Sequence, residues 1–586
     1  MSGLAKYTGS QLELVIAIDI GTTFSGVSYA FLRPDEVPEI ASVMEFSSQT
    51  FQQAKIPSVL GYDSNGSLLG VGPKASEEAL EEAGKDGGWK RLRYIKMHFR
   101  PGDSSINLEM DDLPSDKSAE DVMADLMSYL YKETLKYIEE HHADGVNILN
   151  QVRDRIQFVF SHPNGWVGLP QQRYRKCAVI GGLLQSEDEA TRRIRFISEG
   201  EASALSCLAS KFAPSPIVPN YKFIVLDAGG GTLDVSAYRV LNASPLELEE
   251  IAIPDSRFAG SIFVNEKARE MFKDIFGNSK FSDKETVNGT IQEFDSKIKP
   301  TFDSATRKFS IKIPGVKTSN KKMNIVNGCL KLGGEKIEEC FRFSVDNAIE
   351  SVTSVRDKVS DVDGDMPVWL VGGFGASPWL FKQLKEKLGS KGFSVCKPDA
   401  NQAKVVADGA IRFHIHNSVT TRLSPSYYGI SCATQYTPSC PDHEQRKHLV
   451  YNLRRGGQRI GPVFSCIAKK NEKLSASGGV DASEYWREII NPQNAHISCP
   501  LYAYEGEGPA PLWFDENKDK FRKLCEITAD LSEQCTPETG TFIDGVGVWQ
   551  LKYSVELTLG STEIEARIRW EHKGETKYSE AKVVYV

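Results

Sequence analysis

The sequence predicts a mixed α/β fold in which two lobes each carry a copy of one strand–turn–strand unit and a β-rich domain follows them. Residues 15–30 and 223–238 are similar at one constant offset. Residues 551–570 instead alternate polar and apolar side chains, which is typical of antiparallel strands. At 586 residues, the chain is also too long for a single core.

The two similar segments read VIAIDIGTTFSGVSYA and FIVLDAGGGTLDVSAY. The positions that coincide are Asp19 and Asp227, Gly21 and Gly229, Val27 and Val235, and Ser28 and Ser236. Each copy runs from an apolar stretch into a carboxylate, then into glycine and threonine, and then into a second half-apolar stretch. This order predicts a strand, a tight turn and a second strand.

The turns carry residue types that suit phosphate. Glycine lets backbone N–H groups approach an anion closely, and Thr22, Thr23 and Thr232 add hydroxyl donors. The aspartate at each strand end can hold a hydrated Mg²⁺. A single Gly-rich turn is equally compatible with a plain hairpin. Two copies in fixed register favour a pair of hairpins that clamp the phosphates of one nucleotide.

Other phosphate motifs fit less well. The chain has no G-x-x-x-x-G-K-[ST] string. Residues 368–380, VWLVGGFGASPWL, place Gly372, Gly373 and Gly375 after a strand, but Pro378 stands where a dinucleotide fingerprint has its third glycine. We predict a strand-to-helix turn against which a base or ribose can lie.

Periodicity predicts the surrounding elements. A long amphipathic helix follows Ser118, which forms a capping box with Asp121. Its apolar positions are Val122, Met123, Leu126, Leu130 and Ile138. QFVFSHP is expected to be a strand, KFAPSPIVPNYK a crossover between lobes, and residues 401–415 a helix.

The C-terminal alternation predicts an antiparallel β domain with no helical run after it. One face carries Tyr553, Val555, Leu557 and Leu559, and after a Gly-Ser-Thr turn Ile564, Ala566, Ile568 and Trp570 follow. KVVYV is expected to be a further strand. Such a domain either binds extended segments by strand addition or is a packed structural module.

Composition narrows the function classes. The net charge of −8 means that the protein as a whole does not attract the negatively charged phosphates of nucleic acid, so nucleic acid is not expected as the main partner. No apolar run has membrane-spanning length, and MSGLAKYTGSQLE lacks a signal-peptide core, so we expect a cytoplasmic protein without a membrane partner. Zinc is not expected, because the spacing of Cys432, Cys440, His443 and His448 does not match structural sites.

Six segments of the first 415 residues resemble motifs of the actin-like ATPase superfamily, especially those of the 70 kDa heat-shock chaperones, and they occur in the same order. They are AIDIGTTFSGV, KIPSVLGY, GVGPKA, FISEGEASAL, LDAGGGTLDVS and LVGGFGASP. The resemblance implies an α/β fold: a two-lobed, ribonuclease H-like duplicated ATPase domain followed by a C-terminal β-rich domain. The implied bounds are 12–215 and 216–398 for the lobes, 399–420 for a helix returning to lobe I with a linker, and 421–586 for a β-rich domain without a helical lid.

Some residues depart from the common chaperone pattern. Glu199 is followed by Gly200 and Glu201 in place of Pro-Thr, and Phe374 and Ala376 replace a serine and the arginine that stacks on adenine. GGFGASP together with RLSPSYYGIS is most similar to the heat shock 70 kDa protein 12 branch, which keeps the ATPase domain and lacks a recognisable lid. This similarity argues against ordinary peptide chaperoning.

The resemblance implies a role for each matching residue. Asp19 and Asp227 would organise Mg²⁺. The phosphate cradle would comprise Gly21, Thr22, Thr23, Gly229, Gly230, Gly231 and Thr232, and the adenosine site Gly372, Gly373, Gly375 and Lys297. The catalytic set would be Glu199, Asp227, Asp234 and Lys96, with Lys90 as the rival lysine near the γ-phosphate. A solvated surface remains the alternative for the basic stretch 89–100 and for Lys297.

The implied function is an ATP-binding, slowly ATP-hydrolysing Hsp70-like switch that uses ATP and Mg²⁺ and acts on protein partners. One alternative is a small-metabolite kinase of the same fold; the sequence has no separate signal for the catalytic aspartate of such an enzyme, and Asp234 stays open for that role. The other is a nucleotide-gated scaffold that binds ATP without hydrolysing it. The altered residues after Glu199 are compatible with the scaffold.

Overall fold

A computed structural model describes residues 4–83, 88–101, 108–210, 212–214, 216–360, 365–398, 402–475, 480–481, 484–558, 563–580 and 582–584. The chain divides into two compact units. Unit one comprises residues 1–166 and 170–418, and unit two comprises residues 167–169 and 419–586. Helices and several sheets are present, so the predicted mixed α/β class is confirmed. None of the described helices is both long enough and apolar enough to cross a lipid bilayer.

The first large sheet of unit one contains the first of the two similar segments. Strands up to residue 198 are β1 (Glu13–Ile20), β2 (Phe24–Leu32), β3 (Ala41–Ser42), β4 (Lys55–Pro57), β5 (Leu60–Asp63), β6 (Leu68–Val71), β7 (Trp89–Leu92), β8 (Ile156–His162) and β9 (Ile194–Ser198). Helices up to residue 209 are α1 (Glu77–Ala83), α2 (Ala119–His141), α3 (Gly145–Val152), α4 (Leu169–Ile180), α5 (Glu187–Arg193) and α6 (Glu199–Ala209). The large sheet has the order β3–β2–β1–β8–β9, with β4 also beside β2, whereas β6, β5 and β7 form a small sheet. β1 is antiparallel to β2 and parallel to β8.

The second large sheet contains the other similar segment. Between residues 222 and 396 the strands are β10 (Lys222–Ala228), β11 (Leu233–Ala243), β12 (Leu246–Arg257), β13 (Lys308–Lys312), β14 (Ile325–Val326), β15 (Cys329–Gly333), β16 (Val368–Val371) and β17 (Val395–Cys396). The helices are α7 (Ser261–Phe276), α8 (Lys284–Glu293), α9 (Gly334–Asp357), α10 (Pro378–Gly389) and α11 (Val405–Ile415). The sheet runs β17–β16–β10–β11–β12, and β10 is antiparallel to β11 and parallel to β16. β13, β15 and β14 form a small sheet.

Unit two consists mainly of antiparallel strands. They are β18 (Val419–Leu423), β19 (Tyr427–Gln435), β20 (Val450–Asn452), β21 (Gln458–Ala468), β22 (Lys473–Ser475), β23 (Val480–Asp481), β24 (Tyr485–Ile489), β25 (His496–Tyr504), β26 (Phe521–Asp530), β27 (Thr541–Ile543), β28 (Val546–Thr558), β29 (Ile564–His572), β30 (Glu575–Tyr578) and β31 (Lys582–Val584), with helix α12 (Pro441–Gln445). One sheet has the order β20–β21–β19–β25–β26, and the other is built around β28 and β29. The two sheets share one core, to which Ile430, Leu501 and Val555 belong.

Local sequence patterns anticipated several of these elements. Both strand–turn–strand units form hairpins. Helix α2 starts after Ser118, whose hydroxyl accepts from the Asp121 N–H at 3.2 Å while the Ser118 N–H donates to Asp121 Oδ2 at 2.9 Å. The predicted apolar positions of α2 are buried in the core of the first sheet. The C-terminal alternation is confirmed where described, with Leu557 and Ile568 buried.

A few predicted positions lie outside the described residues. They are residues 211 and 215 of the crossover segment, Asn401 at the start of the returning helix, Leu559 and the Gly-Ser-Thr turn of the alternating segment, residues 585 and 586 of KVVYV, and the domain bounds 215, 399 and 586. The described part of the returning helix is α11, which follows a short 3₁₀ turn at residues 402–404. The domain bounds therefore stay a prediction.

Helices α6 and α11 cross at very close range. A Cβ atom on Gly409 of α11 would overlap the carbonyl oxygen of Ala202 in α6. The helices can approach this closely because residue 409 has no side chain. Since Glu199 starts α6, the crossing also fixes the position of that carboxylate.

Gly409→Ala is therefore expected to lower the free energy of unfolding of unit one by about 1–3 kcal/mol, the usual cost of overpacking. Urea-induced unfolding measures this change. Gly389→Ala in α10 is the matched control, because a Cβ there would have no neighbouring atom within 4 Å. The control should shift stability by no more than about 1 kcal/mol. Equal effects of the two substitutions would contradict this account of the crossing.

Candidate nucleotide site

The turns of the two hairpins are closed in the same way. In the first, the Gly21 N–H donates to the Phe24 carbonyl at 3.1 Å. In the second, the Gly229 N–H donates to the Thr232 carbonyl at 2.9 Å. Each turn begins just after the strand that carries an aspartate, Asp19 in β1 or Asp227 in β10. The aspartates therefore hold equivalent positions in the two hairpins.

The two turns touch each other. A Cβ atom on Gly230 would lie 2.6 Å from Thr23 Oγ1, and one on Gly231 would overlap Thr22 Oγ1. Real Cβ atoms do not make such contacts, so the approach depends on glycine at both positions. The structure thus brings together Thr22, Thr23, Gly230 and Gly231, four of the residues that the sequence predicts as a phosphate cradle.

The carbonyl oxygens of the first turn are held by one serine. The Ser58 hydroxyl donates to the Gly21 carbonyl and the Ser58 N–H donates to the Thr23 carbonyl, both at 2.8 Å. Ser58 follows strand β4 directly in the chain. These two bonds hold the carbonyl oxygens of the turn, and backbone N–H groups are the donors with which such a turn can bind an anion.

The carbonyl oxygens of the second turn are held by the start of helix α7. Three successive N–H groups donate to three successive glycines: Gly260 to Gly231 at 3.1 Å, Ser261 to Gly229 at 3.1 Å, and Ile262 to Gly230 at 3.0 Å. The first N–H groups of a helix have no partner within the helix, so these bonds satisfy both elements. Both turns are consequently braced from the side of their carbonyls.

Asp19 is buried and has a partner on each oxygen. Lys55 Nζ lies 2.7 Å from Oδ2, and the Ser161 hydroxyl donates to Oδ1 at 2.8 Å. Burial disfavours the charged form, but the positive charges of Lys55 and Lys96 together with these hydrogen bonds outweigh it and lower the pKa of Asp19. Asp19 is thus held as a carboxylate.

Lys96 and Glu199 form a buried ion pair, with side chains 2% and 10% exposed. Burial by itself would lower the pKa of Lys96, but the charges of Glu199, Tyr174 and Asp19 together with the hydrogen bond to Glu199 outweigh burial and raise it. The pKa of Glu199 is raised as well, because burial and the charge of Asp19 outweigh the attraction of Lys96. Removing either partner would leave an uncompensated charge in the interior.

Asp227 lies between helix α6 and the turn after β16. The Ser203 hydroxyl donates to its Oδ2 at 2.7 Å. Burial, followed by repulsion from Glu199, raises the pKa of Asp227 to about 7. Gly372 has φ +85°, and a Cβ atom there would overlap Asp227 Oδ1. Glycine is therefore required at residue 372 by both its backbone angle and its neighbour.

Asp234 faces Asp227 across the second hairpin, where the two residues are register partners. The Asn164 N–H donates to Asp234 Oδ1 at 2.6 Å. Burial, followed by repulsion from Glu199, raises the pKa of Asp234 well above its ordinary value. The structure therefore groups Asp234 electrostatically with Glu199 and Asp227.

The remaining predicted site residues differ in their exposure. Gly373 is exposed and Gly375 is buried in the turn after β16. Lys297 is 63% exposed and pairs with Glu293 at 2.7 Å. Lys90 is exposed on β7, so Lys96 is the lysine that contacts Glu199. Their roles toward a nucleotide stay predictions.

Sequence reasoning missed four polar side chains that contact Asp19, Asp227 or the first turn. Lys55 and Ser58 lie in KIPSVLGY, a segment that carries part of the resemblance, but they were not given roles. Ser203 is four residues after Glu199 on α6, a spacing that places both on one helix face, so it had a local signal. Ser161 had none, because its contact with Asp19 joins residues 142 positions apart.

The residues fit a magnesium nucleotide. The cradle consists of two braced turns in which added Cβ atoms would strike the opposite turn. The candidate metal ligands Asp19 and Asp227 offer only oxygen, the donor that Mg²⁺ prefers, and one or two carboxylates are its usual share in nucleotide sites. Lys55 and Lys96 supply positive charge beside them.

Comparison with known proteins gives distant similarities. No protein-family model matches the chain. Mouse heat shock 70 kDa protein 12A is 21% identical over 524 residues, which cover 75% of this chain and 74% of the relative. Human heat shock 70 kDa protein 12B is 20% identical over 527 residues, covering 76% and 75%. Chaperone protein DnaK of Thermotoga neapolitana is 23% identical over 406 residues, covering 68% and 58%.

The raised pKa of Asp227 predicts a stability change with pH. Because its pKa is higher in the folded than in the unfolded chain, the folded state binds the proton more tightly. The stability that the proton contributes is therefore complete below about pH 4 and lost as pH rises through about 7. Asp227→Asn should remove this loss, which is on the order of 2 kcal/mol between pH 5.5 and 8.

Urea-induced unfolding in EDTA at these two pH values tests the expectation. Asp519→Asn is the control, because the Asp519 side chain is 79% exposed. A pH dependence that is the same in wild type and Asp227→Asn would show that Asp227 does not titrate in this range.

Proposed function

The chain is a distant relative of the Hsp70-like, actin-like ATPases, and from that premise we propose that it binds ATP with Mg²⁺ and acts as a slowly hydrolysing switch on protein partners. The observation that carries the proposal is the contact between the two Gly-Thr turns beside buried Asp19, Glu199, Asp227 and Asp234. Several carboxylates are rarely buried close together unless they bind a cation or take part in catalysis.

We assign the chain to a duplicated two-lobed fold followed by a β-rich domain, with the bounds 12–215, 216–398, 399–420 and 421–586. Strand order supports the duplication, because β2–β1–β8–β9 and β11–β10–β16–β17 have the same relative directions. The antiparallel pairing of the strands after residue 419 supports the β-rich domain. We propose a cytoplasmic location and protein partners, since one relative is named a chaperone.

The side chains suggest how hydrolysis would be assisted. ATP would supply the terminal phosphoryl group, and its Mg²⁺ would offset the charge that develops during transfer to water. The pKa values of Glu199 and Asp234 are raised, so the ionised form of each carboxyl group is a stronger base toward water than an ordinary carboxylate. Lys96 is held against Glu199 as a fixed positive charge.

Asp19→Asn and Asp227→Asn are each expected to weaken Mg²⁺-dependent ATP binding by about 10- to 100-fold, because each removes a charged oxygen ligand. Calorimetry with ATP in Mg²⁺ and in EDTA separates the metal-dependent part. Asp125→Asn is the matched control, because Asp125 also pairs with a lysine at 2.7 Å but is not part of the site. Unaltered ATP affinity in both site variants would contradict the proposal.

Glu199→Gln and Asp234→Asn should bind ATP but form ADP at least about 100-fold more slowly, the usual range for loss of a general base. Single-turnover assays with labelled ATP measure this rate. Wild-type protein that binds ATP and forms no ADP would instead be a nucleotide-gated scaffold. ATP consumption that rises strongly with a small polyol, and not with proteins, would identify a kinase.

A further inference from the structure

Lys55 pairs with the carboxylate at the end of the first hairpin strand. Its Nζ lies 2.7 Å from Asp19 Oδ2, and the two side chains are 22% and 4% exposed. The other oxygen of Asp19 accepts a hydrogen bond from Ser161. A cation that is to approach Oδ2 must therefore compete with the ammonium group of Lys55.

The path of the Lys55 side chain is prepared by a glycine. Lys55 in β4 is the register partner of Gly26 in β2, and Gly26 is the register partner of Asp19 in β1. A Cβ atom on Gly26 would lie 2.9 Å from Lys55 Cγ and 2.6 Å from the Ala54 carbonyl oxygen. The lysine stem thus crosses β2 where a side chain is missing, and its charged end reaches β1.

The two lysines of the site differ in freedom. Lys96 is 2% exposed and is enclosed with Glu199, whereas Lys55 is 22% exposed. Lysine has a flexible four-carbon stem, so a lysine whose side chain is partly exposed can change partner by rotation about its side-chain bonds. Lys55 is therefore less enclosed than Lys96 and better able to change partner.

We propose that Lys55 is the counter-ion of Asp19 in the nucleotide-free protein and transfers to the terminal phosphate when a nucleoside triphosphate binds. Lys55 thereby favours triphosphate over diphosphate and releases Asp19 Oδ2 for the hydrated metal ion. Two cations at one oxygen repel each other, and a terminal phosphate is a strong partner for the displaced ammonium group. The inference rests on the proposed nucleotide-binding function and adds a residue that discriminates between nucleotides.

Lys55→Met tests it, because methionine keeps most of the apolar stem and removes the charge. With Mg²⁺ present, calorimetry should show ATP affinity lowered roughly tenfold or more and ADP affinity changed by less than about threefold. In nucleotide-free protein, the affinity for Mn²⁺ alone should rise, because the competing cation is gone. Electron paramagnetic resonance of free Mn²⁺ measures this. A lysine that only supports packing would weaken all three affinities.

Two further variants control the result. Lys117→Met removes a lysine of the same unit with the same 2.7 Å pairing distance and 21% exposure, and it should leave the ratio of ATP to ADP affinity unchanged. Lys55→Arg keeps the charge and should retain most of the ATP preference. If Lys55→Met does not fold, Lys55→Gln takes its place with the same expected change in the ratio.

The outcomes separate the two proposals. Wild-type protein that binds neither ATP nor ADP overturns the proposed function and, with it, this inference. If wild type binds both nucleotides and the uncharged Lys55 variant keeps the wild-type affinity ratio or binds Mn²⁺ more weakly, the role of Lys55 is wrong while the proposed function stands. A change in the ratio in Lys117→Met as large as in the Lys55 variant would also overturn the role of Lys55.

Discussion

The arrangement of unit one depends on a close approach of the Thr22 and Thr23 side chains in one turn to the backbone of residues 230 and 231 in the other, where glycine leaves room for them. A Cβ atom at either position would lie 2.6 Å or less from a threonine hydroxyl, so the threonine side chain or the turn that carries it would have to shift. The contact brings the ends of two strands from different sheets to one place. The polar residues at those strand ends can then act on one another.

The cost of this arrangement is electrostatic. Burial makes the charged form of a carboxylate unfavourable, and neighbouring carboxylates add repulsion, which together raise the pKa values of Glu199, Asp227 and Asp234. Asp19 differs because the charges of Lys55 and Lys96, together with the hydrogen bonds from Lys55 and Ser161, outweigh the effect of burial and lower its pKa. Such a cluster of buried carboxyl groups lowers the stability of the nucleotide-free protein. Destabilising clusters of this kind are common at ligand-binding and catalytic sites.

Helix α6 connects the two halves of the cluster. Glu199 at its start pairs with Lys96, and Ser203 one turn later donates to Asp227 in the other sheet. The carbonyl oxygen of Ala202, between them, lies against Gly409 of α11. One rigid element therefore sets the positions of groups from both sheets, so a shift of α6 would change both ion-pair and hydrogen-bond partners together.

The sequence by itself determined the two hairpins, the capped helix after Ser118 and the alternating C-terminal strands, because turn chemistry, capping and periodicity act over a few neighbouring residues. It also indicated the aspartates and glycines of the site, through their repetition. Only the tertiary structure decided which lysines meet the carboxylates. Tyr94 has φ +60°, and beyond it the chain buries Lys96 while Lys90 stays exposed. Lys55 reaches Asp19 across two strand pairings, so burial and long-range pairing, which no local pattern encodes, selected the charge partners.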